Sequence, residues 1–244
     1  MEWEKDRNEI WNTVNQGIMW LVGAKRRAVY AFVSRRRWES KMIFDNFSYI
    51  KTEALSGDIR ADVKSMLLIN SKYNTYVHVS NVAERNALIS KKYSLDRDKC
   101  VIGGLLHDIS AIIKPEDMLK YAYENDFDIC EAEKKYPFLL HQRLSKICAV
   151  EYFNIFDEDI LSAIECHTTL KKHASKYEMS LFIADKLAWD REGIPPFYED
   201  VDNALDISLE LSCYKYMKFM VDNNMILCPH DNWIAAYEQL KNMI

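Results

Sequence analysis

The chain has 244 residues, 49% of them hydrophobic, and a formal net charge of −5 at pH 7. That length suits one large domain or a domain plus an extension, and so mild a charge does not single out nucleic acid as a partner of the whole chain. Only six glycines and five prolines argue against a turn-rich β-protein and towards long helices.

The charge is uneven. Residues 1–50 hold nine Lys/Arg and six Asp/Glu, net +3, which leaves −8 for the remainder. The six cysteines (Cys100, Cys130, Cys148, Cys166, Cys213, Cys228) are scattered with no C-x-x-C pair, the pattern of free core thiols in a reducing compartment. Met1-Glu2-Trp3-Glu4 is acidic where a signal peptide is basic. The apolar run over residues 17–24 is far short of the roughly 20 residues that cross a bilayer. The expected location is cytoplasmic.

Taken in chain order, Trp11, Val14, Ile18, Leu21 and Val22 recur at three- and four-residue steps and predict a basic amphipathic helix ending near Lys25-Arg26-Arg27. A second stretch over 29–33 runs into Arg35-Arg36-Arg37-Trp38. Four of the six tryptophans (Trp3, Trp11, Trp20, Trp38) lie here with both arginine clusters. Basic residues interleaved with aromatics suit RNA, an anionic membrane surface or another protein. The plainer reading, favoured because charge runs are usually solvated faces, is an extra helical pair packed on the main domain or mediating a homodimer. The mixed polar and aromatic segment 46–57 sets the boundary, giving a basic, aromatic helical extension over 1–57 and a main domain over 58–244.

Further helices are expected over 58–70, 76–92, 96–109, 115–125, 141–153, 158–167 and 178–189. Asp58 and Asp157 stand at cap positions and Pro115 in a first turn. Pro195-Pro196 breaks the chain before a long helix over 204–223 and a last one from Asp231. No alternating strand pattern appears, so the fold class is all-α.

Polar residues punctuate these apolar runs in the order His78, His107-Asp108, His141, His167, Asp185. Imidazoles and carboxylates are rarely buried without partners, and a metal ion satisfies several at once. Each lies near an expected helix end, where separate helices can aim side chains into one cavity. Asp108 can bridge two cations through its two oxygens while His107 ligates one. A set of imidazole and carboxylate without thiolate suits iron, manganese or another octahedral divalent ion better than structural zinc. Water on such an ion becomes a nucleophile near neutral pH.

At these residues the chain resembles the HD-domain superfamily, and within it the YqeK-type symmetrical diadenosine tetraphosphate hydrolases. The resemblance runs through Tyr76-Val77-His78, Gly104-Leu105-Leu106-His107-Asp108, Pro115-Glu116-Asp117-Met118, Leu139-Leu140-His141, Asp157-Glu158-Asp159-Ile160-Leu161-Ser162-Ala163-Ile164, His167-Thr168-Thr169 and Phe182-Ile183-Ala184-Asp185. It implies an HD-domain helical bundle over the main domain and a di-metal centre, usually iron. His78, His107, Asp108 and Asp185 would hold one ion, and Asp108, His141 and His167 the other. It further implies cleavage of diadenosine tetraphosphate to two ADP by a metal-bound hydroxide, with His107 and Asp108 as the catalytic pair. Arg191 matches an arginine of the pattern and would clamp a phosphate. Thr168 and Thr169 would contact substrate or orient His167.

The chain departs from the pattern in three places. Thr75 stands where the family has Arg, and Leu170, followed by Lys171-Lys172, where a Gly follows His-Thr-Thr. Ala111 replaces a Lys, with Lys114 three residues on as the candidate phosphate contact. These departures keep two other functions open: an HD-type nucleotide phosphatase or phosphodiesterase with a different substrate, and a catalytically weak nucleotide-binding regulatory module acting through residues 1–50. His173 reads as solvent-exposed, and His230, beside Pro229, as the start of the last helix.

Overall fold

Caps and first-turn residues set where the helices begin. The structure, a computed structural model, describes residues 41–189 and 192–244; the two helices expected within 1–40, and Arg191, lie outside the described residues. Asp58 accepts from the backbone N–H of Arg60 and Ala61 and opens α1 (Ile59–Ile69). A tight turn leads to α2 (Tyr73–Tyr93), the longest described helix. Asp96 caps α3 (Arg97–Leu106), Pro115 occupies the first turn of α4 (Pro115–Glu124), and a short α5 follows (Glu131–Lys135). Then come α6 (His141–Glu151), α7 (Glu158–Cys166) capped by Asp157, and α8 (Lys176–Leu187), opened by a Ser175/Glu178 capping box. The chain closes with α9 (Tyr198–Ala204), α10 (Leu209–Asp222) and α11 (Asp231–Met243), the last capped by His230. No strand occurs among the described residues.

Several elements differ from the sequence reading. The helix expected to reach residue 109 stops at Leu106, and the chain tightens into a 3-10 turn, Ile109–Ile112. Ser110 is the cause: its N–H donates to Ser145 Oγ (3.2 Å) and its hydroxyl to the His141 carbonyl (2.8 Å), which pulls this stretch onto α6. The helix expected over 204–223 begins only at Leu209, because Ser208 adopts an extended backbone and accepts from Leu211 N–H at 3.0 Å, starting α10 there. A 3-10 turn, Pro137–Leu140, and α5 were not expected.

The core is centred on α2, α3 and α8. A Cβ built on Gly104 would lie 2.6 Å from Ala83 Cα and 2.8 Å from Ala83 N, so α2 and α3 touch backbone to backbone at a point that only glycine permits. Asn86, 2% exposed, donates to the Cys100 carbonyl at 2.8 Å and accepts from the Ser180 hydroxyl. That buried knot joins all three helices with its hydrogen bonds made. Cys100, Cys148, Cys166 and Cys213 are buried and all six cysteines are free thiols. Burial pushes the Cys100 thiol up to about 12, so it sits in the core as a neutral group.

Ile43–Ile244 forms one compact unit, which therefore takes in the stretch 43–57 that the sequence assigns to the extension. Ile43 and Phe44 are buried, and their N–H groups donate to Glu151 Oε2 (2.7 Å) and the Tyr152 hydroxyl (3.1 Å) at the end of α6. Phe44 and Tyr152 also stack at 4.7 Å.

Candidate metal centre

Five helices end or begin at one place. His78 sits on the second turn of α2, His107 caps the C-terminus of α3 and Asp108 follows it. His141 starts α6, His167 caps the C-terminus of α7, and Asp185 lies in the last turn of α8. His107, His141 and His167 are buried, and the other three are mostly so.

A shared local device aims three of the imidazoles. Nδ1 lies 2.7 Å from the Gly104 carbonyl in His107, 2.5 Å from that of Phe138 in His141 and 2.8 Å from that of Ile164 in His167, each three residues earlier. A carbonyl only accepts, so Nδ1 carries the proton and Nε2 presents a lone pair. His141 Nε2 and His167 Nε2 then face each other at 2.9 Å, and His107 Nε2 lies 3.3 Å from His78 Nε2. In the neutral rings of His141 and His167 these are two acceptors with no proton between them, which repel, and a cation relieves it. The donor set fits a metal.

Asp108 divides its carboxylate between the two pairs. Oδ1 lies 3.1 Å from His141 Nε2 and 3.4 Å from His167 Nε2. Oδ2 lies 3.6 Å from His107 Nε2 and 3.9 Å from His78 Nε2. The result is two groups of potential ligands, His78/His107/Asp108 and Asp108/His141/His167. Asp185 joins the first, with Oδ1 at 3.0 Å from His78 Nε2 and 3.8 Å from His107 Nε2.

The electrostatics favour the ligating forms. Burial pushes the His107 imidazole down, and that of His167 down to about 4, against the pull of Asp108. Both are neutral at pH 7. Burial alone would raise the carboxyls of Asp108 and Asp185. Instead His107, His141 and His167, wherever one of them carries a proton on Nε2, hold Asp108 well below its ordinary value, and Lys186 and His78 do the same for Asp185. Both stay ionised.

The proposed substrate residues fare differently. The Thr168 hydroxyl lies 3.3 Å from His141 Nε2, at the ligand cluster. Thr169 is buried and turned inward, its hydroxyl bonded to the Leu170 carbonyl (3.0 Å) and to Gln142 (3.3 Å). Lys114 extends over the Tyr49 ring, 4.6 Å from its centroid, rather than to the cluster. Lys171 is held by Glu178 (2.6 Å) and the Ser162 hydroxyl (2.7 Å). Leu170, where the family has Gly, takes a left-handed backbone at φ +55° with its side chain buried.

Two residues at the site carry no sequence signal. Gln142 accepts from Thr168 N–H at 3.2 Å and binds Thr169, fixing the turn after His167. Lys186 grips Asp185. A third group, Cys130/Glu133/His230, also has ligand atoms close together, but it is already closed. Arg143 balances Glu133 at 3.3 Å, and His230 Nδ1 accepts from Asn232 N–H at 3.1 Å to cap α11. That leaves the proton on Nε2, turned to Glu133 at 3.7 Å. His173 is exposed, as expected.

Fold and site together define a helical bundle whose helix ends bring two sets of potential His/Asp ligands onto one shared aspartate. The family model described as the HD domain matches residues 75–190. An uncharacterized protein in the pepC 5' region of Lactococcus lactis subsp. cremoris is 33% identical over 150 residues, 62% of this chain and 76% of that protein. The symmetrical bis(5'-nucleosyl)-tetraphosphatase of Halalkalibacterium halodurans is 26% identical over 169 residues, 68% of this chain and 88% of that one. A crystal structure from Clostridium acetobutylicum, described as a predicted HD superfamily hydrolase involved in NAD metabolism, matches with a TM-score of 0.67 and 26% identity, covering 79% of this chain and 100% of that one. The chain belongs to the HD-domain superfamily of metal-dependent hydrolases. No described helix is long and apolar enough to cross a membrane.

Proposed function

We propose that the protein hydrolyses dinucleoside polyphosphates, cutting diadenosine tetraphosphate symmetrically into two ADP. The observation that carries this is the pair of ligand sets sharing Asp108, a geometry for two neighbouring cations facing a polyphosphate. Relatives named symmetrical bis(5'-nucleosyl)-tetraphosphatase in Halalkalibacterium halodurans and Bacillus subtilis support the substrate class. A divalent ion, iron in the first place or manganese, would supply water activation near neutral pH and offset charge on the phosphate oxygens.

The chain's own residues do the rest. His78, His107, Asp108 and Asp185 form one ligand set, and Asp108, His141 and His167 the other. The carbonyl anchors fix the proton of three imidazoles on Nδ1 and aim their Nε2 atoms inward. Thr168, with its hydroxyl at the cluster, donates to a phosphate oxygen, while Thr169 acts through Gln142 on the turn that carries it. Lys114 and Arg191 are proposed phosphate contacts, Lys114 by swinging off Tyr49.

The test is an anaerobic assay of diadenosine tetraphosphate with ferrous iron, resolving products by chromatography. ADP as sole product is expected. ATP plus AMP, or no turnover by protein shown to hold iron, would refute the proposal. The engagement of Lys114 with Tyr49 and Lys171 with Glu178 favours, as second reading, an HD-type phosphatase or phosphodiesterase for a nucleotide with fewer phosphates. A substrate panel in the same assay separates the two.

A further inference from the structure

Lys186 follows a ligand directly in the chain, yet neighbouring side chains on a helix do not face each other. Here they meet. The Lys186 ammonium binds Asp185 Oδ2, leaving Oδ1 to face His78 at 3.0 Å. The same ammonium lies 3.4 Å from the His167 carbonyl, at the end of α7. It is covered by two aromatic rings, Phe182 one turn back at 5.1 Å and Tyr216 from α10 at 5.9 Å. Its side chain is only 13% exposed, so this is not a solvent-screened surface pair of small consequence.

We infer that Lys186 is a positioning residue of the metal centre: it holds Asp185 so that one oxygen alone serves the His78/His107 ligand set, and it ties that carboxylate to the corner carrying His167. The inference rests on the ligand reading proposed above. Three histidines are aimed by a carbonyl behind the ring, and Asp108 is centred by imidazoles on both sides. Lys186 does the equivalent for Asp185. Without it the carboxylate is free to turn about its χ2 bond and present either oxygen, and the first ligand set loses its fixed geometry. The second set, His141 and His167 with Asp108 Oδ1, has its own anchors.

The test compares wild-type protein with K186M, K186Q and K186R in anaerobic calorimetric titrations with Mn2+, with bound metal counted by elemental analysis. Wild type is expected to bind two ions. K186M should weaken one of them about 10- to 100-fold, the range found for residues that orient metal ligands, and leave the other within about twofold. K186Q, which keeps a donor for Asp185 Oδ2, should fall between K186M and wild type, and K186R should restore most of the affinity. Circular dichroism selects the folded variants, and K186Q carries the comparison if K186M does not fold. Two unchanged sites in K186M or K186Q would overturn the role of Lys186 while leaving the ligand reading intact. Equal weakening of both sites would also overturn it, since Lys186 would then support the bundle and not one ligand set. A wild-type protein that binds no metal would overturn the ligand reading and this inference with it.

Discussion

Asp108 is the side chain on which both proposed ligand sets depend, because each of its oxygens faces a different pair of imidazoles. Asp108→Asn keeps the shape and removes the charge that both pairs share. It is expected to lose both ions and more than about 100-fold of turnover, measured by elemental analysis beside the nucleotide assay; full retention of either ion would mean the sets are independent. Thr168 and Thr169 part company. Thr168→Ala should lower kcat/KM about tenfold, one lost phosphate hydrogen bond, with an unchanged melting curve. Thr169→Ala, deep under the turn, should cost about 1–2 kcal/mol of stability and barely move KM. The six ligand candidates were legible as polar residues set into apolar runs and in the order of a known family, and the fold gathers all six. The sequence left contact with substrate and orientation of His167 undivided between Thr168 and Thr169, because adjacency does not say which hydroxyl points inward. Lys186 and Gln142 were invisible for the same reason. Leu170 shows a different limit: its left-handed backbone explains why a glycine suits that position, yet burying the side chain offsets a strain of about 1–2 kcal/mol.

Helix contacts govern how well those residues meet. The α2–α3 crossing at Gly104 brings His78 and His107 within 3.3 Å of each other. Gly104→Ala puts a methyl carbon into the Ala83 backbone and must push the helices apart. The expected cost is about 1–3 kcal/mol of stability, seen in denaturant unfolding, together with weaker metal binding in a titration. A loss of stability with untouched metal affinity would show that the crossing does not set the histidine spacing. Most helix starts were readable because caps act locally: Asp58, Asp96 and Asp157 each bond N–H groups two and three residues on. The ends were harder. Where α3 stops is decided by Ser145, 35 residues away from Ser110, and no local pattern carries that information. The later start of the helix expected over 204–223 was a missed local signal, since Ser208 is a good cap that the apolar periodicity concealed.

For the molecule as a whole, the centre links stability to protons and metal. The His167 imidazole is held down to about 4 in the fold against an ordinary 6.5. Between those values the unfolded chain takes up a proton that the native one refuses. Stability is therefore full above about pH 6.5 and is lost as pH falls towards 4. His107 shifts the same way, and the lowered carboxyls of Asp108 and Asp185 extend the loss to more acidic pH. For the metal-free protein, going from pH 7 to pH 5 should cost about 2 kcal/mol through His167 alone, about 4–8 °C in Tm. A Tm that stays flat or rises over that interval would show that the imidazole is already charged in the fold. Metal should raise Tm at pH 7 in proportion to the logarithm of its free concentration, and a chelator should reverse the gain.

The separation of the ligands along the chain has a consequence for how the protein is made. His78 and Asp185 meet across 107 residues, and the Asp185 helix follows every other ligand in order of synthesis. A chain still emerging from the ribosome can bring together His141, His167 and Asp108 before it can complete the set around His78. The proposed metal centre thus completes late in translation, and an unfinished or truncated copy ending before α8 is left without Asp185 to close the set around His78.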